Sequence, residues 1–429
     1  MQPKIVKLSN GLDLILHPMS SVQSVAVYVA VGAGPRYETR ETAGLAHFLE
    51  HMLFEGTKKL PSSKEVSRFI ERVGGISSAW TSKEYVVYYA KVQKKHLKVA
   101  LDYLSEILFN SQLDENAIKK EKRIILEEYK RAKDNPESEI WELWFKWAWG
   151  DNQWLGRSTF GDELAILNIN RKKLLDYLSI FYHPSNMCIA IVGNFSIAKV
   201  KKFTNKSFGQ IQKKDIFKSK KIRFTLKKDN VKIVNADTNQ TQLALGIVTG
   251  IPFDHEDRFV IRVIVDILSN GVSSRIFHKI VYEEGLAYSV GAYSLVYTNT
   301  NIICVSGGFA KENIERGVRV ILEELEKLKI IKVSKKELEE AKEKDKAGII
   351  FSVESPDSIA NWYASTQLLE KRIMPIEEIF KKIDEVKAED IQKAARKYFV
   401  LKNLCLMIRG TLDKKYKKSI ESICKETLS

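Results

Sequence analysis

Apolar positions along this chain change period repeatedly, and the changes divide it into strands and helices. Residues 5–16 alternate apolar with polar around Asn10-Gly11, which predicts strand, tight turn, strand. Residues 41–57 shift to helical spacing, with Thr42 as N-cap and Gly56 as stop. A Gly74-Gly75 turn then leads through a β-like run to Ala90 and on to a helix over 94–108. A longer helix over 114–134 begins at Asp114 and is ended by Asp134-Asn135-Pro136. In the second half, Gly285 leads through β-like runs at 288–297 and 302–306 to a helix over 311–328. The recurring order of strand, strand, helix is open to two readings, one large mixed domain or two similar α+β domains.

The helix over 41–57 carries His47-Phe48-Leu49-Glu50-His51. At 3.6 residues per turn, histidines four apart project from one face, so His47 and His51 can share a metal ion with Glu50 beside it. A lone H-x-x-E-H leaves open that both are ordinary histidines of an amphipathic helix. A catalytic zinc site takes three protein ligands and a water, so a third ligand must come from elsewhere. On the helix over 114–134, Ala117, Glu121, Ile125, Glu128 and Ala132 share one mixed face, and Lys120, Arg123, Glu127, Lys130 and Arg131 share a charged one. Carboxylates on a partly apolar stripe need a partner, which assigns Glu128 as third ligand. Glu121 becomes a residue that orients a ligand or the water, and Glu127 a solvated surface charge.

Composition narrows the function classes. With 429 residues and 44% hydrophobic content the chain can bury large cores and is no small binding module. Cys188, Cys304, Cys405 and Cys424 are scattered without metal or redox spacing, as expected of core residues in a reducing compartment. With no signal peptide or membrane span visible, a cytoplasmic location is the expectation. The net charge of +15 raises nucleic-acid binding, but much of it is spread over helix faces where lysines alternate with glutamates. The one concentration, Lys213 through Lys228, lacks a nucleic-acid fold motif and reads as an interdomain linker over 213–230.

With H-x-x-E-H and the distant Glu128 in place, the chain resembles the pitrilysin, insulin-degrading enzyme and mitochondrial processing peptidase group of zinc metallopeptidases. Ser82 to Tyr89, Tyr182-His183-Pro184-Ser185-Asn186, Ile191 to Phe195 and Gly285 to Val290 look like blocks of that family in family order. The resemblance favours duplication. It implies an α+β zinc-binding domain over 1–212 and a similar domain over 231–429, each a mainly antiparallel sheet with helices packed on one face. It further implies a peptide extended along the strand edge at Ser78, Ala79, Trp80 and Thr81, with Phe277 and Tyr288 contributing from the second half. Zinc held by two imidazoles and a carboxylate would polarise the scissile carbonyl and acidify a water, and Glu50 would act as general base. Each histidine is expected to engage an acceptor through its metal-free nitrogen.

Two positions depart from the family pattern. Ser78 stands where an asparagine is common, and Val281 stands where the family has an arginine seven positions before the tyrosine matched by Tyr288. A core-strand role for Tyr288 stays open on sequence grounds. Chains of this length resemble one half of a substrate-enclosing shell, so a second copy or a related subunit is the implied partner. The expected activity is hydrolysis of unstructured peptides or presequence-like segments. A proteolytically silent partner subunit is the alternative from another class, and a basic nucleic-acid-binding protein a third.

Overall fold

The central strands of this chain are apolar at consecutive positions, a pattern that needs cover on both faces of a sheet. The structure, a computed structural model, describes residues 2–217 and 229–428; most of the basic run expected to be a linker, residues 218–228, lies outside the described residues. By contacts the chain forms two units. The first draws on Met1–Ala132, Asp151–Lys220 and Ser352–Pro375, and the second on Lys133–Gly150, Lys221–Phe351 and Ile376–Ser429, in each case through their described residues.

The first unit is built on a six-stranded sheet: β1 (Lys4–Lys7), β2 (Asp13–Pro18), β3 (Ser24–Val31), β4 (Ile76–Thr81), β5 (Val86–Gln93) and β6 (Met187–Gly193), in spatial order β1-β2-β6-β3-β5-β4. β2 and β6 run parallel, and all other neighbours are antiparallel. Alternate residues of β3 serve two cores. Val25, Val27, Val29 and Val31 pack under helix α1 (Leu45–Met52), which contributes Phe48, Leu49 and Met52, together with the Leu97–Asn110 helix. Ala26, Tyr28 and Ala30 face the opposite side, with Cys188 and Ala190 of β6. There the Pro356–Glu370 helix lays Ala360 and Ala364 against them, close enough for Cys188 Sγ to reach the Ala364 carbonyl at 3.1 Å.

The second unit repeats this plan with β7 (Val231–Asn235), β8 (Thr241–Val248), β9 (Ala287–Tyr297), β10 (Thr300–Phe309) and β11 (Leu404–Gly410), ordered β7-β11-β8-β10-β9. Here β7 and β11 are the parallel pair, and the other neighbours are antiparallel. One face carries Leu243, Leu245 and Ile247 into a core with the Ile314–Ile330 helix. On the other lies the Pro136–Trp149 helix, whose Trp144 donates from Nε1 to the Cys405 carbonyl at 2.9 Å. Gly246 makes room for that indole, since a Cβ there would stand 2.0 Å from Trp144 Cζ2.

The expected layer of helices on one face is present in both units, and a further helix covers each opposite face. These two helices are also where the units depart from the continuous spans 1–212 and 231–429. Pro136–Trp149, from the first half of the sequence, belongs to the second unit, and Pro356–Glu370, from the second half, belongs to the first. Both start at a capped proline: Asn135 accepts from the Glu137 and Ser138 amides at 3.0 and 3.1 Å, and Ser355 from Ser358 at 3.1 Å. Nothing local to either segment says which sheet will receive it. No helix among the described residues is long and apolar enough to cross a membrane.

Candidate metal centre

α1 is held at its start by backbone chemistry rather than by Thr42. Gly44 adopts φ +83°, and a Cβ there would meet the Phe160 carbonyl at 2.2 Å, so only glycine fits this entry to the helix. The buried Glu38 carboxylate accepts from the amides of Gly44 and Ala46 at 2.9 and 2.8 Å, which satisfies donors the helix leaves free. Thr42, the expected N-cap, instead accepts from the Thr39 amide at 2.7 Å in the preceding turn. The Glu115–Asp134 helix does begin as expected, with Asp114 accepting from Asn116 and Ala117 at 2.9 and 3.0 Å.

These two helices bring His47, His51 and Glu128 together. His47 Nε2 and His51 Nε2 lie 3.8 and 3.5 Å from Glu128 Oε2, and the three donor atoms all fall within 4.8 Å of one another. Tetrahedral zinc with bonds near 2.0–2.2 Å sets its ligands about 3.3 Å apart; the two histidine–Glu128 separations are within about 0.5 Å of that, and a pair at the 4.8 Å limit would close by about 1.5 Å, a side-chain torsion adjustment that this N2O set allows. Glu121 is buried on the same helix face and reaches His51 Nδ1 at 3.1 Å. That contact at Nδ1 turns Nε2 of the ring toward Glu128. His47 differs from the expectation: among the described residues no hydrogen-bond partner reaches its buried Nδ1, and the ring instead packs edge-on against Phe160, centroids 4.9 Å apart. Glu127 is exposed and pairs with Lys130 at 2.7 Å, in keeping with a surface role.

The charge states follow from the same contacts. Burial, helped by the neighbouring His51 charge, lowers the His47 pKa to about 4. Burial also pulls on His51, but hydrogen bonds to Glu121 and Glu128 outweigh it and raise this pKa to about 9. The hydrogen bond with His51 holds Glu128 below the ordinary carboxylate value. Glu50 is shifted upward by burial, against the pull of a hydrogen bond from Thr81. The site thus contains one neutral imidazole, one readily protonated imidazole and an ionised carboxylate.

Beside it, β4 forms the edge of its sheet, pairing among described strands with β5 alone. Ala79 turns toward the core under α1, and Trp80 turns to the other face, where its ring meets Tyr28 and Tyr89 at 6.1 and 5.9 Å. Trp80 can therefore offer a peptide its main chain but not its indole. Ser78 and Ala79 border a cleft of about 510 Å³ that continues past Glu50 and His51 to Phe54, Ile70 and Tyr103. Those last three lining residues, like Glu38 and Phe160, carried no sequence signal beyond being apolar or acidic.

Phe277 and Tyr288 belong to the second unit. Tyr288 stands on edge strand β9 with 91% of its surface exposed, which removes the core-strand reading. Phe277 is half-buried against the second core, as is Val281. Neither nearby cation is spare: Arg275 forks onto Glu337 at 2.6 and 2.7 Å, and Lys279 pairs with Glu283 at 2.5 Å.

Paired sheets of this topology, with H-x-x-E-H on a helix and a distant glutamate, mark the pitrilysin class of zinc metallopeptidases. Residues 15–163 match the family Insulinase (Peptidase family M16), and residues 168–344 match the Peptidase M16 inactive domain. An uncharacterised zinc protease of Bacillus subtilis, YmxG, is 34% identical over 391 residues, covering 91% of this chain and 94% of that protein. The β subunit of the mitochondrial-processing peptidase of Lentinula edodes is 29% identical over 429 residues, covering 96% and 90%. In fold, a protease from Helicobacter pylori superposes with a TM-score of 0.87 at 24% identity, covering 95% of this chain and 99% of that one. The chain belongs to peptidase family M16, whose cofactor is zinc.

Proposed function

We propose that this chain is a zinc-dependent peptidase that hydrolyses unstructured peptides or presequence-like segments. The observation that carries this reading is the convergence of His47 Nε2, His51 Nε2 and Glu128 Oε2 beside the half-free carboxylate of Glu50. His47, His51 and Glu128 hold the ion in this reading, which supplies Lewis acidity to polarise a carbonyl and acidify a water. Glu121 fixes the His51 ring. Glu50 accepts the proton of the attacking water and returns it to the leaving amine. The open edge of β4 at Ser78, Ala79, Trp80 and Thr81 aligns the peptide by main-chain hydrogen bonds, which favours loose sequence preference. The test is zinc analysis of the purified chain together with peptide cleavage before and after chelation. Zinc near one ion per chain and cleavage abolished by the chelator are expected; zinc without cleavage of any peptide would favour the silent-subunit alternative.

The reading extends to assembly. Val281 sits where the family has an arginine, and Arg275 and Lys279 are already paired, which supports weak activity for the chain alone. A related subunit bearing the arginine would complete the substrate clamp to which Tyr288 and Phe277 contribute, whereas a second copy, which also carries Val281, would pair with the chain but leave that clamp incomplete. Solution mass measurement with peptide assays tests this, and high turnover by the pure chain, unchanged in Val281→Arg, would overturn it. A cytoplasmic location remains part of the proposal, checked by cell fractionation.

A further inference from the structure

The contact between Thr81 and Glu50 connects the peptide-aligning strand to the general base. Thr81 is the last residue of β4, and strand alternation sets it on the same face as Ala79, over α1. From there its Oγ1 donates to Glu50 Oε2 at 2.5 Å, a charge-assisted bond spanning residues far apart in sequence. Glu50 lies in the second turn of its amphipathic helix, with buried Leu49 on one side, so its backbone is fixed while its side-chain torsions are not. A β-branched threonine supplies what the glutamate lacks, since its own χ1 is restricted by the strand. Among the described residues no other hydrogen bond reaches the Glu50 carboxylate, so one oxygen is tied to the strand and Oε1 is left for a water.

We infer that Thr81 is a positioning residue for the general base, and that its side chain serves this role rather than substrate affinity. The inference rests on the peptidase reading above. It separates two duties within one strand: the main chain at Ser78 to Thr81 aligns the peptide, while the Thr81 hydroxyl selects the Glu50 rotamer that faces the water. A peptide added to the edge of β4 stiffens the strand that carries this hydroxyl, so seating of substrate and aim of the base are coupled through one residue.

The test compares Thr81→Val, which keeps shape and strand preference but removes the hydroxyl, with Thr81→Ser, which keeps the hydroxyl. Thr81→Val should retain zinc and hold KM within about twofold while kcat falls about 10- to 100-fold, the range expected for a misaimed proton acceptor. Thr81→Ser should recover most of kcat. Independently of activity, melting temperatures of the metal-free proteins Thr81→Val, Glu50→Ala and the double variant should be non-additive, because the two singles remove the same contact. A kcat in Thr81→Val within about twofold of wild type, a raised KM with unchanged kcat, failure of Thr81→Ser to recover activity, or additive melting shifts each overturns the inference. Absence of any cleavage by zinc-loaded wild type is instead a failure of the peptidase reading, and the melting cycle then decides the contact by itself.

Discussion

Glu121 Oε2 lies 3.1 Å from His51 Nδ1, on the ring nitrogen opposite the one that faces Glu128. A buried carboxylate in that position both fixes the ring and makes its other nitrogen a stronger electron-pair donor. Glu121→Gln keeps a hydrogen-bonding shape but removes the charge, and Glu121→Ala removes both. Zinc affinity should fall by about 10- to 100-fold in the alanine variant, with a smaller loss in the glutamine variant. Competition against a chromophoric chelator reads this directly; equal affinity in all three proteins would remove Glu121 from the site.

The adjacent glutamates should behave differently. Glu128→Gln and His51→Ala are expected to lose zinc, whereas Glu127→Gln should keep both zinc and activity, since its exposed pair with Lys130 contributes about 0–1 kcal/mol. Metal content after gel filtration distinguishes them. The reverse pattern would mean that the helix phase is misassigned by one residue.

Glu50→Gln tests proton transfer without touching the cage. Zinc content should stay at wild-type level while kcat falls by about 10²- to 10⁴-fold. Loss of zinc in this variant would make Glu50 a ligand instead of the base.

Zinc binding should depend on pH through His51. In the metal-free protein this ring has a pKa of about 9, so near neutrality it carries a proton that zinc must displace, while His47, at about 4, is already neutral. Apparent affinity should therefore rise about tenfold per pH unit from pH 6.5 toward 9 and then level off. Calorimetry in buffers of different ionisation enthalpy should show close to one proton released per zinc at neutral pH. The raised value also adds stability to the metal-free fold, fully present below the unfolded value of 6.5 and lost as pH rises through 9.

Gly246→Ala should be strongly destabilising although it adds only a methyl group. Its Cβ would stand 2.0 Å from the Trp144 ring, which is fully buried and tied to the Cys405 carbonyl. Overpacking of this kind costs about 1–3 kcal/mol, measurable as a lower denaturant midpoint.

The elements nearest the chemistry were legible because their signals are local. The phase of the 114–134 helix separated Glu128 from Glu127, and four-residue spacing put His47 and His51 on one face. Thr42 misled because Gly44 takes a left-handed turn that detaches the threonine from α1, and the replacement cap, Glu38, comes from outside the helix. Glu121 was read as needing a partner, but its choice of His51 depends on how two helices cross. The silence of His47 Nδ1 and the Thr81 bond to Glu50 depend on rotamers, which no spacing encodes.

The exchanged helices also set a schedule for synthesis. By the time β6 has been made, every strand of the first sheet is available, yet the surface of Ala26, Tyr28, Ala30, Cys188 and Ala190 has no cover until the Pro356–Glu370 helix appears. That wait spans roughly 180 residues, or on the order of 10 to 40 s at translation rates of about 5–20 residues per second. During it the nascent chain carries an open apolar face on the ribosome, so efficient production of this protein depends on whatever shields that face until synthesis has passed Glu370.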